Sequence, residues 1–447
     1  MMGHRDFSAS TLPRAYAGCG EPPIETDPLI GAARAHVAVI GGGITGASTA
    51  LHLAQAGKVV HLLEAERIGS GGSGRAFGQV VPYLRTEPAG ARAALGAECG
   101  ERLVRAAAAA PESVRALVER HGIACDIQAG GLVFAAHAPS GAKALHARQV
   151  AWAERGIDLP LLDAAGAAAA IGGGCYLAAL VEPRGLTLNP LAYTRGLARA
   201  AHDAGARVHE RSPVTALTRA STGWSVETAQ GTILCDTVIV AAGLGLAGLF
   251  KPMKRRLLPF RVHEAATAPL PAEALSGVLE RHRALTDTRR LPSGVRRTGE
   301  GRLVVTLSGP SGASGAGDAD AGLTRLRALF PQLDVPGFSE QWSGWVDLSS
   351  DQYPRLVEPA PGLLVGYGLS GRGLGLGTAL GQALAQRVLG ALAEDAPFPA
   401  TAGRPRDWLP GSTWMAAAAA VAIRSIERRQ ADGPHAATLS SSNGPRP

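Results

Sequence analysis

A chain of 447 residues, 46% of them hydrophobic, is long enough for two or three domains around sizeable cores. Only 4% of residues are aromatic, and the net charge of +7 comes from scattered arginines with only short pairs such as Arg255-Arg256, Arg289-Arg290 and Arg428-Arg429, which argues against a nucleic-acid partner. The five cysteines, Cys19, Cys99, Cys125, Cys175 and Cys235, are widely spaced, with no CxxC or Cys/His cluster, so no disulfide framework and no metal site is expected and a reducing cytoplasm fits.

The first residues are polar and lack the apolar core of a signal peptide, and Pro13, Pro22, Pro23 and Pro28 interrupt any periodicity, so residues 1–35 read as an extended arm. His36–Ile40 is apolar enough for a buried strand. Gly41-Gly42-Gly43-Ile44-Thr45-Gly46 follows with G-x-G-x-x-G spacing, then a helix to Ala56 and a second strand, Val59–Leu63, ending at Glu64. In such a unit Gly41 permits the tight turn, Gly43 lets a pyrophosphate approach the backbone, and Gly46 lets the helix pack on the sheet. The free N–H groups of the helix start favour phosphate, and a carboxylate at Glu64 suits a ribose 2′-OH. The fingerprint alone does not separate FAD from NAD.

Farther on, Glu98–Arg120 is helical, with Pro111 expected to start a new helix, and Cys125–Ala136 reads as two short strands around Gly130-Gly131. Lys143–Gly156 is helical. Asn189-Pro190 is a cap and first-turn pair for a helix to Ala204. Strands follow at Arg207–Glu210 and Val214–Leu217, then a hairpin, Trp224–Thr228 with Thr232–Leu234, then a buried strand from Asp236 to Gly243. Strand-like pieces between Leu258 and Leu307 form a second, antiparallel sheet. Ser308–Gly322 reads as a loop, and Leu323–Phe330 as a helix.

Leu363–Tyr367 is a buried strand followed by the glycine run Gly368–Gly377 and a helix from Thr378 to Leu392. That run reads either as a turn that only permits close packing or, preferred here, as a second cofactor contact. The apolar stretch Trp414–Ile423 is too short to cross a bilayer. The expected division is an arm (1–35), a discontinuous nucleotide-binding domain (36–85, 186–257 and 340–400), a substrate domain (86–185 and 258–339), a C-terminal helix (401–430) and a disordered tail (431–447).

Together these pieces resemble the FAD-dependent amine and amino-acid oxidoreductases of the D-amino acid oxidase superfamily, and more narrowly its gamma-glutamylputrescine oxidoreductase-like branch. The motifs are Gly41–Gly46 with Glu64, and Gly69–Val80, which is similar to G-x-S-G-R-N-G-G-Q. Gly131-Leu132-Val133, Asn189-Pro190-Leu191, Asp287-Thr288-Arg289 and Gly301-Arg302-Leu303 match further, and Gly368–Gly373 resembles G-Y-S-G-H-G. Three places depart from the pattern. Ala76-Phe77 replaces Asn-Gly, Arg372 stands where a histidine is common, and Asp351-Gln352-Tyr353-Pro354-Arg355 ends in arginine where D-x-x-P-H has histidine.

The resemblance implies an α/β fold, a Rossmann-like FAD-binding domain with a second antiparallel-sheet substrate domain. It implies FAD held by Gly41, Gly43, Ile44, Thr45, Gly46, Glu64, Ala65, Ser73, Gly74, Arg75, Gln79, Val214, Ala242, Gly243, Gly371, Arg372, Gly373 and Leu374. The reaction implied is oxidation of a C–N bond of an amine or amino acid by hydride transfer to flavin N5, giving an imine that hydrolyses. No protein base is required if the amine binds neutral. Candidate substrate-side groups are Arg372, Tyr367, Arg289 and Trp345, and the departures at Arg355 and Arg372 favour an anionic substrate. No cysteine follows Cys235 and Ser73–Gln79 contains no histidine, so FAD is expected to bind non-covalently. The electron acceptor stays open between O2 and another acceptor. Two alternatives stand beside this reading: a D-amino acid or proline-type dehydrogenase feeding a quinone, and a flavin-binding subunit without turnover.

Overall fold

The computed structural model describes residues 12–400 apart from 175, 246–248, 250–255, 290–293 and 308–316. The expected C-terminal helix, the tail, and most of the Ser308–Gly322 loop lie outside the described residues.

The glycine fingerprint sits in an eight-stranded sheet. Its path runs Arg355–Ala360, Leu363–Tyr367, Gly231–Val240, Gly31–Ile40, Val60–Leu63 and Arg207–His209, with the hairpin strands Trp224–Thr228 and Val214–Arg219 off one side. The central strands are parallel, so their C-terminal ends point the same way and deliver Ile40, Leu63 and Val240 to one edge. Two strands are longer than their apolar cores suggest. Gly31–Ala35, expected in the arm, pairs with Gly231–Cys235, and Gly231–Val240 is one strand that serves both as the hairpin's return and as the buried strand. Backbone pairing, which polar and small residues satisfy as well as apolar ones, carries these extensions.

The second sheet also has eight strands, in the order Phe338–Leu348, Leu258–Thr267, Leu303–Leu307, Gly294–Arg297, Ala284–Asp287, Leu132–Ala136, Ala178–Glu182 and Leu161–Leu162. All neighbours are antiparallel except Ala284–Asp287 beside Leu132–Ala136. Phe338–Leu348, grouped by sequence with the nucleotide-binding segments, pairs here with Leu258–Thr267. Of the two strands expected in Cys125–Ala136 only Leu132–Ala136 forms, Gln128 making a single bridge to Thr187.

Helix Ile44–Gln55 is built from Gly, Ala, Ser and Thr with a few leucines and is buried along nearly its whole length, as its position between the sheet and two other helices requires. One of those helices, Pro190–Asp203, is capped as expected: the Asn189 side chain accepts from the N–H of Leu191 and Ala192. The other, Gly373–Val388, begins inside the glycine run, five residues earlier than the sequence suggests. A Cβ on Gly381 would lie 2.5 Å from the Thr45 carbonyl oxygen, so glycine there permits the crossing of the two helices. Ser48 and Thr49 tie it by donating to the carbonyls of Thr378 and Gly381.

Pro111 does not start a helix; it lies within the single helix Ala97–His121. The buried stripe Leu103, Val104, Ala107, Val114, Leu117 and Val118 continues across it, and packing of that stripe offsets the lost backbone bond. Near the N-terminus, a short helix, Arg14–Ala17, lays Tyr16 against the second sheet, its ring edge-on to Trp342 at 5.2 Å and its hydroxyl accepting from Arg296 at 2.9 Å. Among the described residues no helix is long and apolar enough to cross a membrane.

Candidate active site

A cavity of about 1440 Å³ separates the two sheets, and the glycine turns open onto it from both ends of the chain. Gly41 has φ +109°, and a Cβ on it would lie 2.7 Å from the Ala241 carbonyl oxygen. A Cβ on Gly43 would fall 2.8 Å from Ser73 Oγ, the hydroxyl that accepts the first free helix donor, the N–H of Ile44, at 3.1 Å. Gly46 packs behind the turn, its Cβ position 1.9 Å from the Gly41 carbonyl oxygen. Gly74 likewise sits behind the wall, against Gly69 and Leu191. Glu64 accepts from the N–H of Gly42 at 2.6 Å and of Glu66 at 3.0 Å, which orients its carboxylate at the end of the strand, while burial raises its pKa.

Apart from Gly46 and Gly74, every residue expected to contact the cofactor lines the cavity, as do Arg289, Arg372, Tyr367 and Trp345. Their surroundings differ. Arg289 is paired with Asp287, which also binds Arg325 at 2.9 Å, so its charge is already answered. Tyr367 is buried on its strand, and desolvation raises its pKa. Trp345 lies under the guanidinium of Arg261 at 5.6 Å. Arg355 is absent from the cavity wall; it is fully buried, paired with Asp351 and bonded to the carbonyl oxygens of Tyr353 and Pro354.

Arg372 is the first residue of a cationic group that the motif spacing did not reveal. Arg85 and Arg148 also line this part of the cavity, Arg85 donating to the Ser370 carbonyl at 2.7 Å and Arg148 to Glu87 at 2.8 Å. Burial and then these two arginines push the Arg372 pKa down to about 9, and its buried Nε has no hydrogen-bond partner among the described residues. Among the described residues, Arg148 is the only one of these three cations in an ion pair, with Glu87. The turn that carries Arg372 is held by Asp347, which accepts from the N–H of Gly368 at 2.8 Å and whose own pKa burial raises to about 6.

The wall facing the glycine turns is a single rung of the second sheet. Glu264 pairs with Thr306, Val295 with Val305, which brings Gly294 alongside Thr306, and Thr286 pairs with both Gly294 and Phe134. All five of Glu264, Thr306, Gly294, Thr286 and Phe134 line the cavity. Phe77 fills the space that a side chain at 294 would take, within 2.9 Å of its Cβ position. Thr286 donates to Gln79 Oε1 at 2.9 Å, and the buried amide nitrogen of Gln79 is left without a partner. Glu264 was not anticipated; its signal was a lone acid within the strand-like run Leu258–Thr267.

This donor set fits a dinucleotide. The Gly41–Ile44 turn and its helix start could accept a pyrophosphate and the Glu64 carboxylate a ribose, and Gln79 and Arg372 offer buried donors without a partner among the described residues. A dinucleotide cradle roofed by a second, largely antiparallel sheet fits a dinucleotide-dependent oxidoreductase. The family model described as FAD dependent oxidoreductase (DAO) matches residues 36–387, and the chain belongs to that family. Gamma-glutamylputrescine oxidoreductase of Escherichia coli (strain K12) is 30% identical over 381 residues, covering 84% of this chain and 88% of that protein. Glycine oxidase of Geobacillus kaustophilus (strain HTA426) is 25% identical over 350 residues, covering 73% and 84%. In fold, the crystal structure of glycine oxidase from Geobacillus kaustophilus superposes with TM-score 0.69 at 23% identity, over 83% of this chain and 99% of that one. L-amino acid deaminase from Proteus myxofaciens superposes with TM-score 0.68 at 19% identity, over 83% and 93%. The protein is therefore an FAD-dependent oxidoreductase.

Proposed function

We propose that the enzyme oxidises the C–N bond of an amine or amino acid that also bears an anionic group, giving an imine that hydrolyses in water. Bound FAD supplies the hydride acceptor, N5 of its ring. Gly41, Gly43, Ile44 and Glu64 would hold the adenine-nucleotide half, with Val214 and Ala242-Gly243 beside it, and Ser73, Arg75, Gln79 and the backbone of Gly371–Leu374 would hold the ring. The chain's own contribution to the chemistry is orientation and the exclusion of water by the apolar side chains Phe77, Phe134 and Trp345.

One observation carries the choice of substrate: Arg85, Arg148 and Arg372 line one part of the cavity, among the described residues only Arg148 of the three is ion-paired, to Glu87, and Arg372 keeps a buried donor in reserve. A desolvated cation without an answering charge is costly, and a carboxylate arriving with the substrate answers it. The Escherichia coli relative's name gives gamma-glutamylputrescine, an amine that carries such a group, and the glycine oxidase and L-amino acid deaminase names give amino acids. The test is anaerobic mixing of the yellow holoenzyme with a panel of amines and amino acids, each paired with its decarboxylated counterpart. The carboxylate-bearing member of a pair should bleach the flavin faster. Equal rates within every pair would remove the anionic requirement, and no bleaching by any member would favour a flavin-binding protein without turnover.

A further inference from the structure

The acid end of the wall has no role in the scheme above. Glu264 lies fully buried on the cavity lining, on the face of its strand that also turns Val262 and Phe260 inward. Its only hydrogen-bond donor among the described residues is the hydroxyl of Thr306, at 3.2 Å and 3.4 Å from its two oxygens, so one weak donor serves a group with four acceptor sites. The cation whose charge acts on it, Arg296, directs donors elsewhere, Nε to the Phe77 carbonyl at 2.6 Å and Nη2 to the Tyr16 hydroxyl. A buried carboxyl that is neither paired nor fully bonded, and that borders a ligand cavity, is an unfilled acceptor.

We propose that Glu264 is the specificity residue that receives a cationic nitrogen of the substrate, a primary or secondary alkylammonium, at the opposite end of the rung from the arginines. This rests on the amine-oxidation reading above. The rung spans five strands, and at four spacings of about 4.8 Å the distance from Glu264 to Phe134 is roughly 19 Å between backbones, shortened by the inward reach of Glu264 and Arg148. A substrate with a positive nitrogen at one end and an anionic group at the other would lie along this wall with both charges answered.

The groups that face Glu264 set its proton. Its own strand turns only apolar side chains to the cavity; Leu303–Leu307 contributes Thr306, Gly294–Arg297 contributes Arg296, and the N-terminal helix contributes Tyr16. Burial outweighs the help of Thr306 and Arg296 and raises the pKa of Glu264 to about 8. At neutral pH the resting carboxyl therefore holds its proton, and pairing with an ammonium releases that proton to solvent, with no change in oxidation state. Affinity for the cation should rise as pH approaches about 8 and level off above it.

The test is titration calorimetry of the holoenzyme with n-butylammonium chloride, which carries the cation without the anionic group, in two buffers of different ionisation enthalpy at neutral pH. Close to one proton should be released per butylammonium bound, and 1-butanol, the neutral isostere, should bind about 10- to 100-fold more weakly. Glu264→Gln keeps the shape of the side chain; it should retain FAD, lose the proton release, and bind butylammonium about 10- to 100-fold more weakly. Butylammonium that binds no better than butanol, or binds without proton release, or binds the Gln variant equally well, overturns the proposal. The wild-type comparison stands even if the variant does not fold. These are binding measurements, so their outcome is separable from the flavin-bleaching test: a protein that bleaches with amines but ignores this carboxyl sinks the inference alone.

Discussion

Arg355 and Arg372, the two arginines expected to favour an anionic substrate, have fates that diverge completely. Arg355 is consumed by its own loop, bound to Asp351 and two backbone carbonyls beneath the surface. Arg372 stands on the cavity with a donor to spare. Replacing each by methionine, which keeps much of the length without the charge, should separate the two roles. Arg372→Met is expected to leave the unfolding midpoint within a degree or two and to weaken binding of a carboxylate-bearing ligand about 10- to 100-fold, read from flavin spectral titration. Arg355→Met should do the reverse, costing about 2–4 kcal/mol in urea unfolding while the ligand titration barely moves. Both arginines could be singled out in the sequence as candidates for answering an anion. It could not show which faced a ligand, because that depends on whether an acid such as Asp351 folds back onto the guanidinium.

Among elements, the crossing of helices Ile44–Gln55 and Gly373–Val388 brings both glycine-turn N-termini to one cavity. The two readings of the C-terminal glycine run divide by residue. Gly371 and Gly373 line the cavity, whereas Gly375, Gly377 and Gly381 are contact points whose Cβ positions meet Ala110, Thr45 and Ser48. Gly381→Val therefore inserts a branched side chain into a backbone contact and forces the helices apart. It should lower the urea midpoint by about 1–3 kcal/mol equivalent with an unchanged slope, and should also reduce the flavin retained per protein through gel filtration, although residue 381 does not border the cavity. A variant that loses stability but keeps full flavin would show that the crossing does not set the cradle. Glycine spacing made the turn legible; where the helix begins was not, since glycine's low helix propensity hid the first turns that tertiary packing supplies.

For the whole molecule, two sheets share one interior, and the chain passes between them repeatedly. The first sheet was readable because its parallel strands are buried on both faces and so appear as continuous apolar runs. The second was readable only as strand-like pieces. Its register, which aligns Glu264, Thr306, Thr286 and Phe134 on one rung, arises from pairings between segments far apart in sequence and leaves no local trace. Global stability should carry the mark of that interior. Asp347 and Glu264 have folded pKa values raised to about 6 and about 8, above their values in the open chain, so the folded form holds protons that the unfolded form has given up. Stability is then fullest below about pH 4 for these two groups and falls as pH rises through about 8. Glu264→Gln should flatten the upper half of that decline, so its unfolding midpoint relative to wild type should climb between pH 6 and pH 9. Parallel curves for the two proteins would mean that Glu264 is ionised throughout.

Tyr16 belongs to neither sheet, yet it closes the outer side of the acid pocket by meeting Trp342 and Arg296. A polypeptide trimmed to start just before the fingerprint strand would keep every cofactor turn and still be yellow. Its carboxyl at 264, however, would be wetted from behind, titrate like an ordinary glutamate, and lose its selectivity for charge, so that colour alone would be a misleading guarantee of an intact enzyme.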